Sequence, residues 1–254
     1  MVEFRAKDDR KGYVTKEQVN LLMDYFQNKA ASYPTESHLY MVNMKRYLLI
    51  RVMFTTGRRV SEVLGIMKQR KRAHGLRPID IDYDSNKITW SILKKNQVKR
   101  YTKAGNLKKS HVIAEQKFNK PTYSKTIITN TKLMNTLRYW IKEWKIPNTH
   151  RIFPFTKDYF NRELKKACIK LKIKLDGKRV RKDKFGNEYE DIYWISSHSF
   201  RHGYAQAFLK SNNTDPKALP ILSRNMCHSS LKVTDVYLHD DDETAREMAE
   251  KKLY

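Results

Sequence analysis

The sequence predicts an α+β fold, mainly α-helical, with a small antiparallel β-sheet set between two groups of helices. Three observations carry that prediction. Apolar residues recur at helical spacing from Thr15 to Ser32 and from Met41 to Phe54. Between Ile79 and Ile92 the pattern changes to strict alternation. From Asn130 onward the helical spacing returns.

Each element has a local reason. Thr15 and Gln18 fit a capping box, and Val19, Leu22, Met23 and Phe26 line one face of the helix they open. The second helix shows Met44, Leu48 and Val52 as its apolar side. It stops at Thr55-Thr56-Gly57, where glycine accepts the left-handed turn that ends a helix. A short helix carrying Val60, Val63 and Leu64 starts near Arg59. Ile79–Tyr83 and Ile88–Ile92 alternate around a Ser85-Asn86 turn, which predicts a β-hairpin, and Thr126–Thr129 predicts a third strand. The lysine-rich stretch from Lys94 to Lys125 is basic enough to touch a phosphate backbone.

In the second half, Leu133, Leu137, Trp140, Ile141 and Trp144 form one helical stripe. Thr156 caps a further helix whose Phe160, Leu164, Cys168 and Leu171 face inward. Residues 174–195 read as an inserted hairpin with Phe185 to Glu188 at its tip. Helix resumes at His198, breaks near Asn212, Pro216 and Ser229, and ends in a charged helix over 240–254.

Charge narrows the function classes. The 254 residues include 52 Lys plus Arg against 27 Asp plus Glu, a formal net charge of +25. A globular chain so basic repels itself unless a polyanion supplies the missing charge. Nucleic acid fits best, because neutralising phosphates releases condensed counterions. The basic residues are spread along the chain, and no single basic amphipathic helix suggests a membrane surface. Two cysteines, Cys168 and Cys227, cannot build a disulfide framework and point to a reducing compartment. No apolar run is long enough to span a bilayer, and the charged N-terminus lacks a signal-peptide core. The expected location is the cytoplasm.

Four places combine residues in ways a core does not demand. They are Thr56 to Glu62; Leu93-Lys94-Lys95; His198 to His202; and His228-Ser229-Ser230 with Tyr237 beyond. Breaking a DNA strand without a metal needs this kind of set. The attacked phosphate gathers negative charge on its non-bridging oxygens, and guanidinium forks such as Arg59 and Arg201 suit that charge. The nucleophile must be a hydroxyl that can leave again, and a phenol ionises far more readily than Ser or Thr. The leaving 5′-oxygen needs a proton, which a lysine or histidine can give. A covalent intermediate conserves the bond energy, so no cofactor is expected. Consistently, the sequence has neither G-x-x-x-x-G-K-[ST] nor G-x-G-x-x-G.

These residues resemble the tyrosine recombinase (phage integrase) family, whose members carry T-G-x-R-x-S-E, a strand-end lysine, H-x-x-R-H and a G-H-x-S segment nine residues before the tyrosine. Here these are Thr56 to Glu62, Lys94, His198 to His202, and Cys227-His228-Ser229-Ser230 leading to Tyr237. The order matches, and the resemblance runs from about residue 15 to 254. It implies the catalytic-domain fold of that family and a site-specific recombinase acting on double-stranded DNA as a tetramer. By the same resemblance Arg59 and Arg201 hold the scissile phosphate and Lys94 protonates the leaving oxygen. His198 assists proton transfer, His228 hydrogen-bonds a non-bridging oxygen, and Tyr237 forms a 3′-phosphotyrosyl link. Glu62 braces an arginine. Arg58, Lys95, Lys99 and Arg100 are further DNA-contact candidates, with Lys95 and Lys99 also open as the catalytic lysine. Cys227 stands where the family has glycine.

A single catalytic domain is expected over 1–254, with a short N-terminal segment over 1–14. The family usually has an N-terminal core-binding domain, and the 58 residues before Arg59 leave little room for one, as expected of a minimal recombinase or of a catalytic fragment. Helix 240–254 is expected to dock on a neighbouring protomer. Other readings stay beside it. A non-catalytic DNA-binding regulator of the same fold, or a type IB topoisomerase, would share most of these residues. His198 and His202 stand at i and i+4, but the glutamate of a zinc H-E-x-x-H is replaced by Ser199. Asp80, Asp82 and Asp84 on one strand face would suit a metal-dependent nuclease, or a solvated hairpin edge. No metal is expected.

Overall fold

A computed structural model describes residues 13–68, 71–92, 123–175, 178–182, 185–192, 194–212 and 215–226. The chain divides into two compact units, one made of residues 1–58 and 158–254, the other of residues 59–157.

In the first unit, α1 (Lys16–Ala31) begins at Thr15, whose side chain accepts from the Gln18 N–H at 3.2 Å while Gln18 Oε1 accepts from the Thr15 N–H at 3.1 Å. This is the reciprocal capping box that the sequence predicts. Val19, Leu22, Phe26 and Ala30 face the core. α2 (His38–Thr56) is longer than its periodicity suggests and is buried on more than one face: Leu48, Leu49, Ile50, Val52 and Met53 are all inside. A helix apolar nearly all round is a central helix. It packs against α1 on one side and on another against α6 (Ser199–Ser211). Gly203 permits the close packing of α6, since a Cβ there would stand 2.3 Å from the Val14 carbonyl oxygen.

α5 (Lys157–Leu171) buries Phe160, Leu164, Ala167 and Cys168. Its Glu163 meets the buried Arg46 of α2 at 3.4 Å. Arg46 also donates to Asn43 Oδ1 at 2.7 Å and to the Tyr159 hydroxyl. The predicted inserted hairpin is β6 (Lys178–Lys182) paired antiparallel with β7 (Glu188–Ile192), and Phe185 at its tip is exposed. α7 (Ala218–Met226) follows the break after Asn212 and packs on α6 through Leu222 and Met226.

The second unit starts with α3 (Val60–Leu64). β1 (Ile66–Lys68) and β2 (Lys71–Ala73) then pair as a hairpin in a run of charged residues whose sequence shows no strand alternation. The three-stranded antiparallel sheet runs β3 (Ile81–Asp82), β4 (Lys87–Ile92) and β5 (Tyr123–Ile128), with β4 central. Ile88 pairs with Ile81 on one side and Ile127 on the other, and all three are buried. Asn86 takes φ 51 in the predicted turn. α4 (Thr131–Glu143), capped by the Asn130 side chain, buries Leu133, Met134 and Leu137. Trp140 and Trp144, predicted for the same stripe, are half-buried and stack on each other with ring centroids 4.8 Å apart.

The strand predicted over 79–83 is shorter than its alternation suggests. Pro78 starts a 3-10 turn over Pro78–Asp80, so Asp80 leaves the strand. Asp80 instead forms a bidentate pair with Arg77, Nη2 to Oδ1 at 2.9 Å and Nε to Oδ2 at 3.1 Å. Asp82 accepts from the Ser85 hydroxyl and from the backbone N–H groups of Asp84 and Ser85. The one-faced row of carboxylates a nuclease would need is therefore not formed. Among the described residues no group of three metal-ligating side chains occurs, and no helix is long and apolar enough to cross a membrane.

Candidate active site

In the second unit, Arg59 is the N-cap of α3 and Glu62 stands three residues on, inside the first turn. The Glu62 carboxylate accepts twice from the same residue. Its Oε2 takes the Arg59 backbone N–H at 3.2 Å, and its Oε1 takes Arg59 Nη1 at 3.2 Å. Glu62 is fully buried, whereas the Arg59 side chain is 38% exposed. A buried carboxylate gripping one edge of a half-exposed guanidinium fixes its plane and leaves its body toward solvent. The sequence Arg-Val-Ser-Glu builds this because an N3 carboxylate reaches back to its own N-cap.

In the first unit, α2 ends at Gly57 with φ 62, the left-handed conformation that glycine adopts without strain. This turn points the Gly57 carbonyl at Arg201, whose Nη1 donates to it at 2.7 Å. Arg201 Nη2 donates at 2.7 Å to the carbonyl of Met226, the last residue of α7. Arg201 is only 2% exposed. Two backbone carbonyls orient its guanidinium, which stays protonated.

Arg201 lies in the first turn of α6, at the positive end of the helix dipole. His198 is the N-cap of that helix, exposed, with its ring edge-on to His202 at 4.7 Å between centroids. The approach to the helix is held by Ser196 and Ser199, the Ser196 N–H donating to Ser199 Oγ at 3.1 Å. The Ser197 N–H donates to Asn161 Oδ1 of α5 at 3.0 Å.

Arg58 corrects the sequence reading. Expected to face DNA or solvent, it is 0% exposed. Its charge is felt by Tyr204: burial pushes that phenol up from its ordinary value, and the Asn225 hydrogen bond, Arg58 and Arg201 pull partly the other way. Arg58 therefore lies in the interior beside Tyr204, as Arg201 does.

Lys94, Lys95, Lys99, Arg100, His228 and Tyr237 lie outside the described residues, as do Cys227 and helix 240–254. Of the expected set the structure thus describes Arg59, Glu62, His198 and Arg201, together with Arg58. Two neighbours escaped the sequence reading. Tyr204 and Asn225 join α6 to α7, with Asn225 Nδ2 donating to the Tyr204 hydroxyl at 3.3 Å. The only signal for Tyr204 is its place three residues after Arg201 on one helix, which puts both on one face.

No protein-family model and no curated protein matches the sequence. Solved structures do. The XerA recombinase aligns over 95% of this chain and 65% of its own, with TM-score 0.52 and 15% identity. The Tn1549 transposon integrase in complex with transposon right end DNA aligns over 96% of this chain and 67% of its own, with TM-score 0.54 and 18% identity. The XerH site-specific recombinase bound to its difH substrate, in a post-cleavage complex, covers 94% of this chain and 52% of its own, with TM-score 0.53 and 15% identity. The chain has the fold of the tyrosine recombinases. It spans between about half and two thirds of the length of these three proteins.

Proposed function

We propose that the chain is a site-specific DNA recombinase that cleaves and rejoins DNA through a 3′-phosphotyrosyl intermediate, without metal or nucleotide cofactor. The observation that carries this reading is the fixation of Arg201. A permanently charged guanidinium is buried, oriented by the carbonyls of Gly57 and Met226, and set in the first turn of a helix. An arginine placed so is prepared for an anion. Arg59, held at one edge by buried Glu62, is the second cation of the set.

In the proposed reaction Arg59 and Arg201 hold the non-bridging oxygens of one phosphodiester. Their fixed charge stabilises the five-coordinate state, where the extra negative charge develops. The Tyr237 phenol oxygen attacks phosphorus and the bond from phosphorus to the 5′-oxygen breaks. The phenol proton passes to a neighbouring base, for which His198 is the candidate. Lys94 gives a proton to the departing 5′-oxygen, and His228 donates a hydrogen bond to a non-bridging oxygen. A 5′-hydroxyl of another strand then attacks the phosphotyrosine, so no external energy is used. The +25 charge suits the duplex partner, and four protomers would act on two duplexes in the cytoplasm.

Nicked suicide duplexes with randomised flanks, incubated with the full chain in EDTA and run on a denaturing gel, test this. Covalent attachment by wild type and none by Tyr237→Phe, with duplex binding retained, is the expected result. Binding without attachment would make the chain a regulator. Relaxation of any supercoiled plasmid regardless of sequence would make it a topoisomerase.

A further inference from the structure

Arg201 is anchored at two points that belong to different helices, Gly57 O at the end of α2 and Met226 O at the end of α7. The separation of those carbonyls decides the plane and the position of the guanidinium. The two hydrogen bonds tie the arginine to both helix ends but do not by themselves set the distance between those ends.

Tyr204 touches the same two helix ends. Its ring lies against Gly57, so close that a Cβ built on the glycine would meet Cδ1 at 2.2 Å, Cε1 at 2.7 Å and Cγ at 3.0 Å. Its hydroxyl accepts from Asn225 Nδ2 at 3.3 Å, one residue before Met226. Tyr204 also shares a helix face with Arg201, three residues apart on α6. The aromatic ring is rigid, with two side-chain torsions, so it fixes a distance where a flexible side chain would not.

We infer that Tyr204 is a positioning residue for Arg201: its ring and hydroxyl brace the helix ends whose carbonyls aim the guanidinium. The inference rests on the proposed recombinase reading for its effect on chemistry, and on the geometry alone for its effect on Arg201. Only glycine at position 57 leaves room for the brace, which gives that glycine a second task beside its backbone angle.

The test compares Tyr204→Leu, Tyr204→Phe, Arg201→Lys and the double variant Tyr204→Leu with Arg201→Lys. Duplex affinity and single-turnover attachment to the suicide duplex are measured for each. A misplaced clamp of this kind costs on the order of a hundredfold in rate. Tyr204→Leu should therefore lose roughly that much attachment rate while its duplex affinity holds. Tyr204→Phe, which keeps the ring, should recover most of the loss, because one hydrogen bond between neutral groups is worth less than about tenfold. The double variant should be no slower than Arg201→Lys alone. Losses that multiply, or a loss that appears only in affinity, would overturn the inference. If wild type attaches to no DNA, the recombinase reading fails and the melting temperatures of the same four variants decide. Non-additive shifts support the brace, and additive shifts overturn it.

Discussion

Gly57→Ala is the perturbation whose cost can be worked most directly from the geometry. Two independent penalties meet there. Gly57 has φ 62, and an alanine held in the left-handed region costs about 1–2 kcal/mol. The new methyl would also lie 2.2 Å from Tyr204 Cδ1, so the ring must move, and forced repacking of this kind costs about 1–3 kcal/mol. Together the loss is about 2–5 kcal/mol. Gly186 separates the two terms. It has φ 89 with nothing within 4 Å of a built Cβ, so Gly186→Ala should show the backbone penalty alone, about 1–2 kcal/mol. Urea unfolding of both variants at matched temperature gives the two numbers by linear extrapolation. Equal losses at the two sites would mean that no ring lies against Gly57, and the brace described above would go with it.

Glu62→Ala should cost about 1.5–3 kcal/mol in urea unfolding, because two donors of Arg59 lose a charged acceptor, and covalent attachment to the suicide duplex should fall with it. Glu163→Leu, which leaves the buried Arg46 without its carboxylate, should cost about 3–5 kcal/mol. Glu163 also sets a pH dependence. Burial opposes its ionisation, but Lys166 and Arg46 outweigh that and hold its carboxyl below the ordinary value of 4.5. Its stabilisation is complete above that pH and is lost as pH falls below it, so the acid side of the stability curve should be shallower in Glu163→Leu. Burial pushes the Cys168 thiol up to about 12. Alkylation of the folded chain at pH 8, followed by peptide mapping, should leave Cys168 unmodified until denaturant is added.

Much of the fold was legible because its signals are local. The Thr15–Gln18 box, the Gly57 stop, the return of helix near Asn130 and the Asn86 turn are each decided by a few neighbouring residues. What failed was decided at a distance. The hairpin of Ile66–Lys68 with Lys71–Ala73 hides in a run of charges with no alternation, and only strand pairing forms it. Alternation from Ile79 to Tyr83 looked like strand throughout, until Pro78 claimed the first residues for a 3-10 turn and Arg77 claimed Asp80. For the candidate site, the Arg59–Glu62 arrangement follows from spacing on one helical turn. Arg58 does not: an arginine is placed at the surface by default, and its burial depends on neighbours far away in sequence. Tyr204 was one of 15 tyrosines, and no property of its own sequence neighbourhood announces the ring against Gly57.

The central claim is that one phenol, and a particular one, becomes joined to DNA. The direct measurement is mass spectrometry of the proteolysed covalent adduct formed on the suicide duplex. The account predicts a single nucleotide-bearing peptide, with the phosphoryl group on Tyr237. An adduct on any other residue, or cleaved DNA with no peptide attached, would contradict it.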